Sequence, residues 1–379
     1  MKRLPLIVVG LLLLPATLAG QHDTVIFQGQ ASGWMQYGHR DEMPLGLGAR
    51  YIPALKVQMH GKTRGMLEIE TSANVMLTMM AHPSDTMTAE GIVKPYRLCV
   101  RYAADQYEIR LGLQKISFGS ASMLRPLMWF DRLDPRDPLQ LTDGVYALLG
   151  RYYFLNNTNI WLWGLYGNEK SGIWDLGNTR KRIPEAGGRF QFPLWKGELA
   201  FTGHFRQVDT TALQLQHAGY SHFPEGKLGI DGKWDVGPGI WFECTRVHKF
   251  REAGVLNNQT MANLGMDFTF AILNGITVGA EYLLVSVHQD AWRLRDPYHL
   301  TAVSASTPLS LSDHISAIVF AEWESRAGYA YLSYRHQFRK ISLYGMAFFS
   351  SSGEGLPMLA GTNAAFMGNG FQILVVYHH

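Results

Sequence analysis

Past its N-terminus, the chain lacks any apolar run long enough to cross a bilayer as a helix. Gly, a charge or an amide interrupts each run within about a dozen residues, where a spanning helix needs roughly 20. It has only two cysteines, Cys99 and Cys244, far apart in sequence. Two cysteines make no disulfide framework, and neither stands in a metal-ligand spacing, so the plainer reading is two thiols on the walls of the fold. The net charge of +3 is too balanced for a nucleic-acid surface, so no nucleic acid is expected as a partner. No blade-like repeat of about 40 to 50 residues marks a propeller. No Gly-x-Ser-x-Gly elbow marks a hydrolase nucleophile. No linker or low-complexity tract divides the chain.

What is present reads differently. Lys2 and Arg3, the short apolar stretch Leu4 to Pro15 and the small residues Thr17, Ala19 and Gly20 form a secretory signal pattern. Gln21 stands where a lipoprotein would carry its cysteine. Residues 1–20 are therefore expected to be a signal peptide and 21–379 one domain. A secreted chain that is 47% hydrophobic and 12% aromatic, without a spanning helix, is either a large soluble β protein or an outer-membrane β-barrel. The 39 glycines, 10 tryptophans and 17 tyrosines favour the barrel, whose aromatics gather at the membrane interfaces and whose glycines serve turns and crowded lumen positions.

Strand-length segments of alternating character run along the chain. They cover 24–36, 48–60, 64–79, 93–104, 106–116, 144–154, 158–167, 185–194, 196–208 and 225–235. They continue over 239–250, 259–271, 275–288, 298–308, 313–325, 327–338, 340–350 and 368–378. The pattern predicts an all-β, transmembrane antiparallel barrel of about 18 strands, with 16 as the competitor. In Tyr107–Gln114, Tyr, Ile and Leu alternate with Glu, Arg, Gly and Gln, as an apolar-out, polar-in wall requires. Met66, Glu68 and Glu70 alternate with Leu67, Ile69 and Thr71 in the same way. Segments 313–321 and 371–377 are apolar on both faces and are expected to meet loops or subunit contacts. Asn156-Asn157, Trp195-Lys196, Asn274-Gly275, Arg326-Ala327 and Arg339-Lys340 read as tight turns. Segments 80–92, 117–143, 168–184, 209–224, 289–297 and 351–367 read as long loops.

The run IRLGLQKISFG followed by LDPRDPLQLTDG is the one local signature. Through Gly112, Gln114, Lys115, Phe118, Gly119, Asp131, Asp134, Pro135, Asp137 and Pro138 it resembles the porin superfamily of outer-membrane barrels. It is most similar to porin-like barrels of the Bacteroidetes type, and more loosely to alginate-export-like and phosphate-selective porins. Leu113 departs from the Arg of many relatives, so no substrate is carried over. The resemblance implies 16 to 18 strands and an internal constriction loop.

The candidate pore-lining and constriction residues are Glu68, Glu70, Arg97, Arg101, Glu108, Arg110, Lys115, Arg125, Asp131, Arg132, Asp134, Arg136, Asp137 and Arg151. Glu198, Glu243, Asp267, Glu281 and Glu322 are further acidic wall positions. Opposed basic and acidic walls order water and screen solutes by charge; equally, such charges pair and solvate a filled interior. In the loop, alternating Asp and Arg are explained by mutual ion pairs and Asx turns before Pro135 and Pro138. A calcium site on Asp131, Asp134 and Asp137 departs from the usual ligand spacing, and no cofactor or metal is expected.

The expected function is an outer-membrane channel of a Gram-negative bacterium, giving passive, weakly charge-selective passage to small hydrophilic solutes. The alternatives are a non-conducting structural or assembly barrel and an outer-membrane lipid hydrolase. Expected partners are membrane lipid and small solutes, with a homo-oligomer or an envelope protein as a further partner.

Overall fold

In the computed structural model, the described residues are 23–39, 45–61, 65–81, 87–170, 172–209, 222–251, 254–290, 294, 297–351, 366 and 368–379. The expected signal segment 1–20 lies outside them. Eighteen antiparallel strands form one closed barrel. They are β1 (Thr24–His39), β2 (Leu45–His60), β3 (Met66–Ala81), β4 (Met87–Ala103), β5 (Tyr107–Gln114) and β6 (Val145–Tyr153). Next come β7 (Asn159–Leu165), β8 (Glu185–Leu194), β9 (Gly197–Asp209), β10 (His222–Asp235), β11 (Gly239–Lys249) and β12 (Asn258–Phe270). The circuit ends with β13 (Ile276–His288), β14 (Tyr298–Pro308), β15 (Asp313–Glu322), β16 (Gly328–Gln337), β17 (Ile341–Ser350) and β18 (Asn369–His378).

Closure comes from β1, which pairs with both β2 and β18. A closed circuit leaves no unpaired edge in a solvent that cannot hydrogen-bond it. The C-terminal His379 joins the seam through backbone hydrogen bonds with Gly29. The expected count of 18 therefore holds, and the N-terminal segment is a full wall strand.

Side chains sort by parity. On β18, Phe371, Ile373, Val375 and Tyr377 face outward and stay exposed, while Leu374 and Val376 are buried inside. Exposed aromatics mark both rims of the wall. Phe27, Tyr107, Tyr152, Trp195, Phe270, Phe338 and Tyr377 lie toward the short-turn end, and Tyr37, Tyr146, Tyr166, Phe205, Phe250, Trp323, Phe349 and Phe371 toward the other. Two such belts around an apolar band are what a bilayer selects.

Some sequence boundaries shift. The segment read as loop 80–92 is largely strand, since β3 runs to Ala81 and β4 starts at Met87. Gly91 imitates loop punctuation there, and the register shift opposite Ser72/Ala73 accommodates Pro95, within the expected strand, at an irregularity, where a strand tolerates proline. The loop read at 209–224 gives up 222–224 to β10, and 210–221 lies outside the described residues. The Arg326-Ala327 connection is short but joins its strands at the long-loop end. Cys99 and Cys244 are both free.

The doubly apolar segments lie on the same side of the barrel, on β15 and β18. Met261, Leu283, Leu300, Phe320, Tyr329, Phe348 and Leu374, from β12 to β18, form one buried cluster with Met123 and Leu124 of the β5–β6 connection. Their inner face meets a loop, as expected.

Gly112 sits just before β5 gives way to that connection. Its φ is 119°, and a Cβ there would lie 2.2 Å from the Leu98 carbonyl oxygen. Gly112→Ala is expected to destabilise the barrel by about 1–3 kcal/mol through forced backbone strain. The check is the unfolding midpoint of the heat-modifiable folded band; an unchanged midpoint contradicts the close packing of β4 on β5.

Candidate functional site

After Gln114 the chain leaves the wall, crosses the interior as residues 115–144, and rejoins it at Val145. Inward carboxylates of the opposite wall hold its tip. Glu281 of β13 accepts the amides of Ser122 at 2.7 Å, Met123 at 3.1 Å and Leu124 at 2.5 Å, and the Ser122 hydroxyl at 2.9 Å. The Trp241 indole donates to the same carboxylate at 3.1 Å. Glu243 of β11 accepts the amides of Ala121 at 2.7 Å and Leu127 at 3.0 Å. Gly119 has φ 106°, and a Cβ there would lie 2.3 Å from the Glu243 Oε1 atom. Asp231 of β10 accepts the Ser120 hydroxyl at 2.9 Å and is itself gripped by both Arg189 terminal nitrogens at 2.6 and 2.9 Å. Consecutive backbone amides converging on a carboxylate form an anion nest, and charge-assisted bonds of this kind are the strong ones.

The rest of the loop is rigid through its own pairs. Arg125 reaches Asp131 at 3.4 Å and the Phe118 carbonyl at 3.1 Å. Arg136 forks onto Asp134 at 2.9 and 2.8 Å, donates to the Phe366 carbonyl at 3.1 Å and lies over the Tyr329 ring. Burial works against the Arg136 charge, but Asp134 outweighs it and raises the guanidinium above its ordinary pKa. Asp137 accepts the amides of Leu139 and Leu141, while burial pushes its carboxyl up. Asp131, Asp134 and Asp137 thus engage three different sets of partners. Among the described residues no group of three His, Cys, Asp or Glu is arranged to hold a metal. Arg125, Asp131, Asp134 and Arg136 are buried; they build the loop. Lys115 is exposed and Arg132 half-exposed.

The loop read at 168–184 also contributes inward residues. Its Asp175 bridges Arg206 at 2.9 Å and Lys227 at 2.5 Å. Glu225 completes the cluster with Arg206 at 2.6 Å and Lys249 at 3.4 Å. Burial raises the Asp175 pKa, but Arg206 and Lys227 more than offset it and hold the carboxyl well below the usual range. With a lowered folded value, the ionised form stabilises the native state above the ordinary carboxylate pKa, and that contribution is lost only as pH falls through the lowered value. Trp174 ties the two segments together by donating to the Arg125 carbonyl at 2.8 Å. The sequence signal was there in Arg206, Glu225, Lys227 and Lys249, charges of one parity on β9 to β11; the partner in a loop was not.

The wall of β2 to β6 is different. Glu108 is buried and gathers Arg101 at 2.6 Å, Arg110 at 2.8 Å and Arg151 at 3.6 Å. Lys56 faces Glu70 at 3.6 Å, and Gln58 donates to Glu68 at 2.7 Å. Arg97 donates to the Thr142 carbonyl and so touches the loop. The side chains of Lys56, Glu70, Arg101 and Arg110 remain 26–28% exposed on this inner wall. Acid and base are therefore interleaved on neighbouring strands. They are not opposed across the interior as expected, because Glu243 and Glu281 on the far side hold the loop.

No protein-family model matches the chain, and no curated protein does. Solved structures do. The Pseudomonas aeruginosa OccK5 (OpdH) structure matches with TM-score 0.58 and 8% identity over 94% of this chain and 98% of that one. Acinetobacter baumannii OccAB4 gives 0.56 and 8% over 94% and 98%. An anion-selective porin from Comamonas acidovorans gives 0.51 and 10% over 94% and 100%. The fold is that of the outer-membrane porins. At these identities the likeness concerns fold, and it leaves the narrower Bacteroidetes-type and alginate-export-like resemblance as the sequence stated it.

Glu281→Ala should leave the buried Met123 and Leu124 amides without that acceptor, at about 1–3 kcal/mol each. Limited proteolysis of the folded, detergent-solubilised barrel should then cut within 117–130, where the wild type resists. Equal resistance would contradict the clamp.

Proposed function

We propose that this chain is an outer-membrane channel for passive diffusion of small hydrophilic solutes, with a weak preference for anions. The observation that carries this reading is a rigid loop held inside the barrel beside a wall whose charged side chains stay open to water. The loop tip and the apolar inner face of β12 to β18 fill one side. The accessible polar surface lies on β2 to β6, against the Lys115 and Arg132 side of the loop. There Arg101, Arg110 and Arg151 share the single carboxylate of Glu108, and Lys56 faces Glu70. The excess is basic, and the low-dielectric wall around the lumen focuses its field on passing ions. By the usual barrel rule the short-turn end, where β1 begins and β18 ends, faces the periplasm.

The apolar filling also favours a second reading, a sealed barrel with a structural or assembly role. Nothing among the described residues favours a lipid hydrolase.

Planar-bilayer recording separates the first two. The wild type should open discrete steps with a reversal potential displaced toward anions under a salt gradient. Arg110→Gln and Lys115→Gln should each move it toward cations, and Glu281→Ala should give larger or noisier steps by freeing the loop. A well-inserted, folded and silent barrel overturns the channel. Unchanged reversal potentials in both charge variants remove the assigned selectivity.

A further inference from the structure

Outside the lumen, a furrow crosses the lipid-facing wall of β7 to β11. Its floor is Gly188 and Gly203, register partners on β8 and β9 with no side chain between them. Leu162 and Leu228 bound it, 64% and 68% exposed, and Phe190 and Phe201 stand beside it. The volume is 590 Å³, lined almost wholly by apolar surface. At its loop-end corner lies Arg246, the outward partner of Leu228 on β11. Its guanidinium leans over β12, donating to the Thr260 hydroxyl at 2.7 Å and the Asn258 side-chain oxygen at 3.2 Å. His248, the next outward position, shares Asn258 at 2.7 Å and packs edge-on against the exposed Phe250 ring.

A cation on the lipid face is costly and is placed where its head can reach the interface. Here it reaches the long-loop rim, beside the aromatic belt. An apolar slot flanked at its loop end by an arginine is complementary to an amphiphile with an anionic head, and a guanidinium suits phosphate oxygens. We propose that this furrow holds one acyl chain of a phosphorylated outer-leaflet lipid, with Arg246 and His248 meeting its phosphate. The glycine floor admits the chain, and the phenylalanines line its flank. The site is independent of the lumen and of whether the barrel conducts.

The test is native mass spectrometry of the purified, delipidated full chain, titrated separately with bis-phosphorylated lipid A and with phosphatidylcholine. The wild type should retain one lipid A and release phosphatidylcholine. Arg246→Gln should weaken lipid A retention about five-fold, the usual effect of one basic side chain at an anionic headgroup. Gly203→Leu should also weaken it by filling the slot; a Cβ there meets nothing nearer than Leu228 Cδ2 at 3.8 Å. Both variants are read only as heat-modifiable folded bands, and Arg246→Gln suffices alone where the other fails to fold. Equal retention of the two lipids, or unchanged lipid A retention in the folded variants, overturns the proposal. So does a dimer mass in place of the lipid adduct, which would assign the furrow to a second copy of the chain.

Discussion

The interior of this barrel is organised around two wall carboxylates that accept backbone amides of a loop. Residues 115–144 must run through a space where each unsatisfied amide is expensive. Glu281 and Glu243 supply acceptors where the chain has no strand partner. The loop answers with backbone shapes that bring successive amides to one point, and Gly119 lets it pass close to Glu243. Once the tip is fixed, Met123 and Leu124 lie against the apolar inner face of β12 to β18. That burial explains why several strands carry apolar residues on both faces.

Apart from Glu243 and Glu281, which accept backbone amides, much of the buried charge among the described residues is grouped in opposite pairs. Arg189 faces Asp231, Arg206 and Lys227 share Asp175, and Arg136 forks onto Asp134. Such pairs contribute less to net stability than to uniqueness of arrangement, because desolvation offsets much of their attraction. Their consequence here is geometric. They hold two loops in the interior and leave the β2 to β6 wall as the water-accessible side, where three arginines share Glu108.

The alternating segments were legible because a half-lipid, half-lumen strand has no other way to sort its side chains. Tyr107–Leu111 shows this directly: Tyr107, Ile109 and Leu111 are exposed and Glu108 is buried, whereas Leu113, read as outward, is buried. The start of β4 was harder, since Gly91 imitates loop punctuation while sitting in a paired strand. Among the site residues, Glu108 with Arg101 and Arg110 was legible, because neighbouring positions of one parity meet across adjacent strands. Glu281 was recognisable as an inward acid, but its role was not. A carboxylate that binds backbone amides well over a hundred residues away leaves no mark in local pattern.

The sequence alone determined the class of fold, the approximate strand number, the inward and outward faces, and the existence of a long insertion after β5. These follow from period, strand length and turn chemistry, all local properties of the chain. Tertiary structure alone decided which charges remain open to water. Arg125, Asp131, Asp134 and Arg136 carry the same chemistry as Arg101, Arg110 and Lys115, yet the first set is buried in loop packing. The physical reason is that a charge's partner, and so its role, depends on which distant wall the loop reaches. Closure of the circuit by β1 and β18 sets that wall.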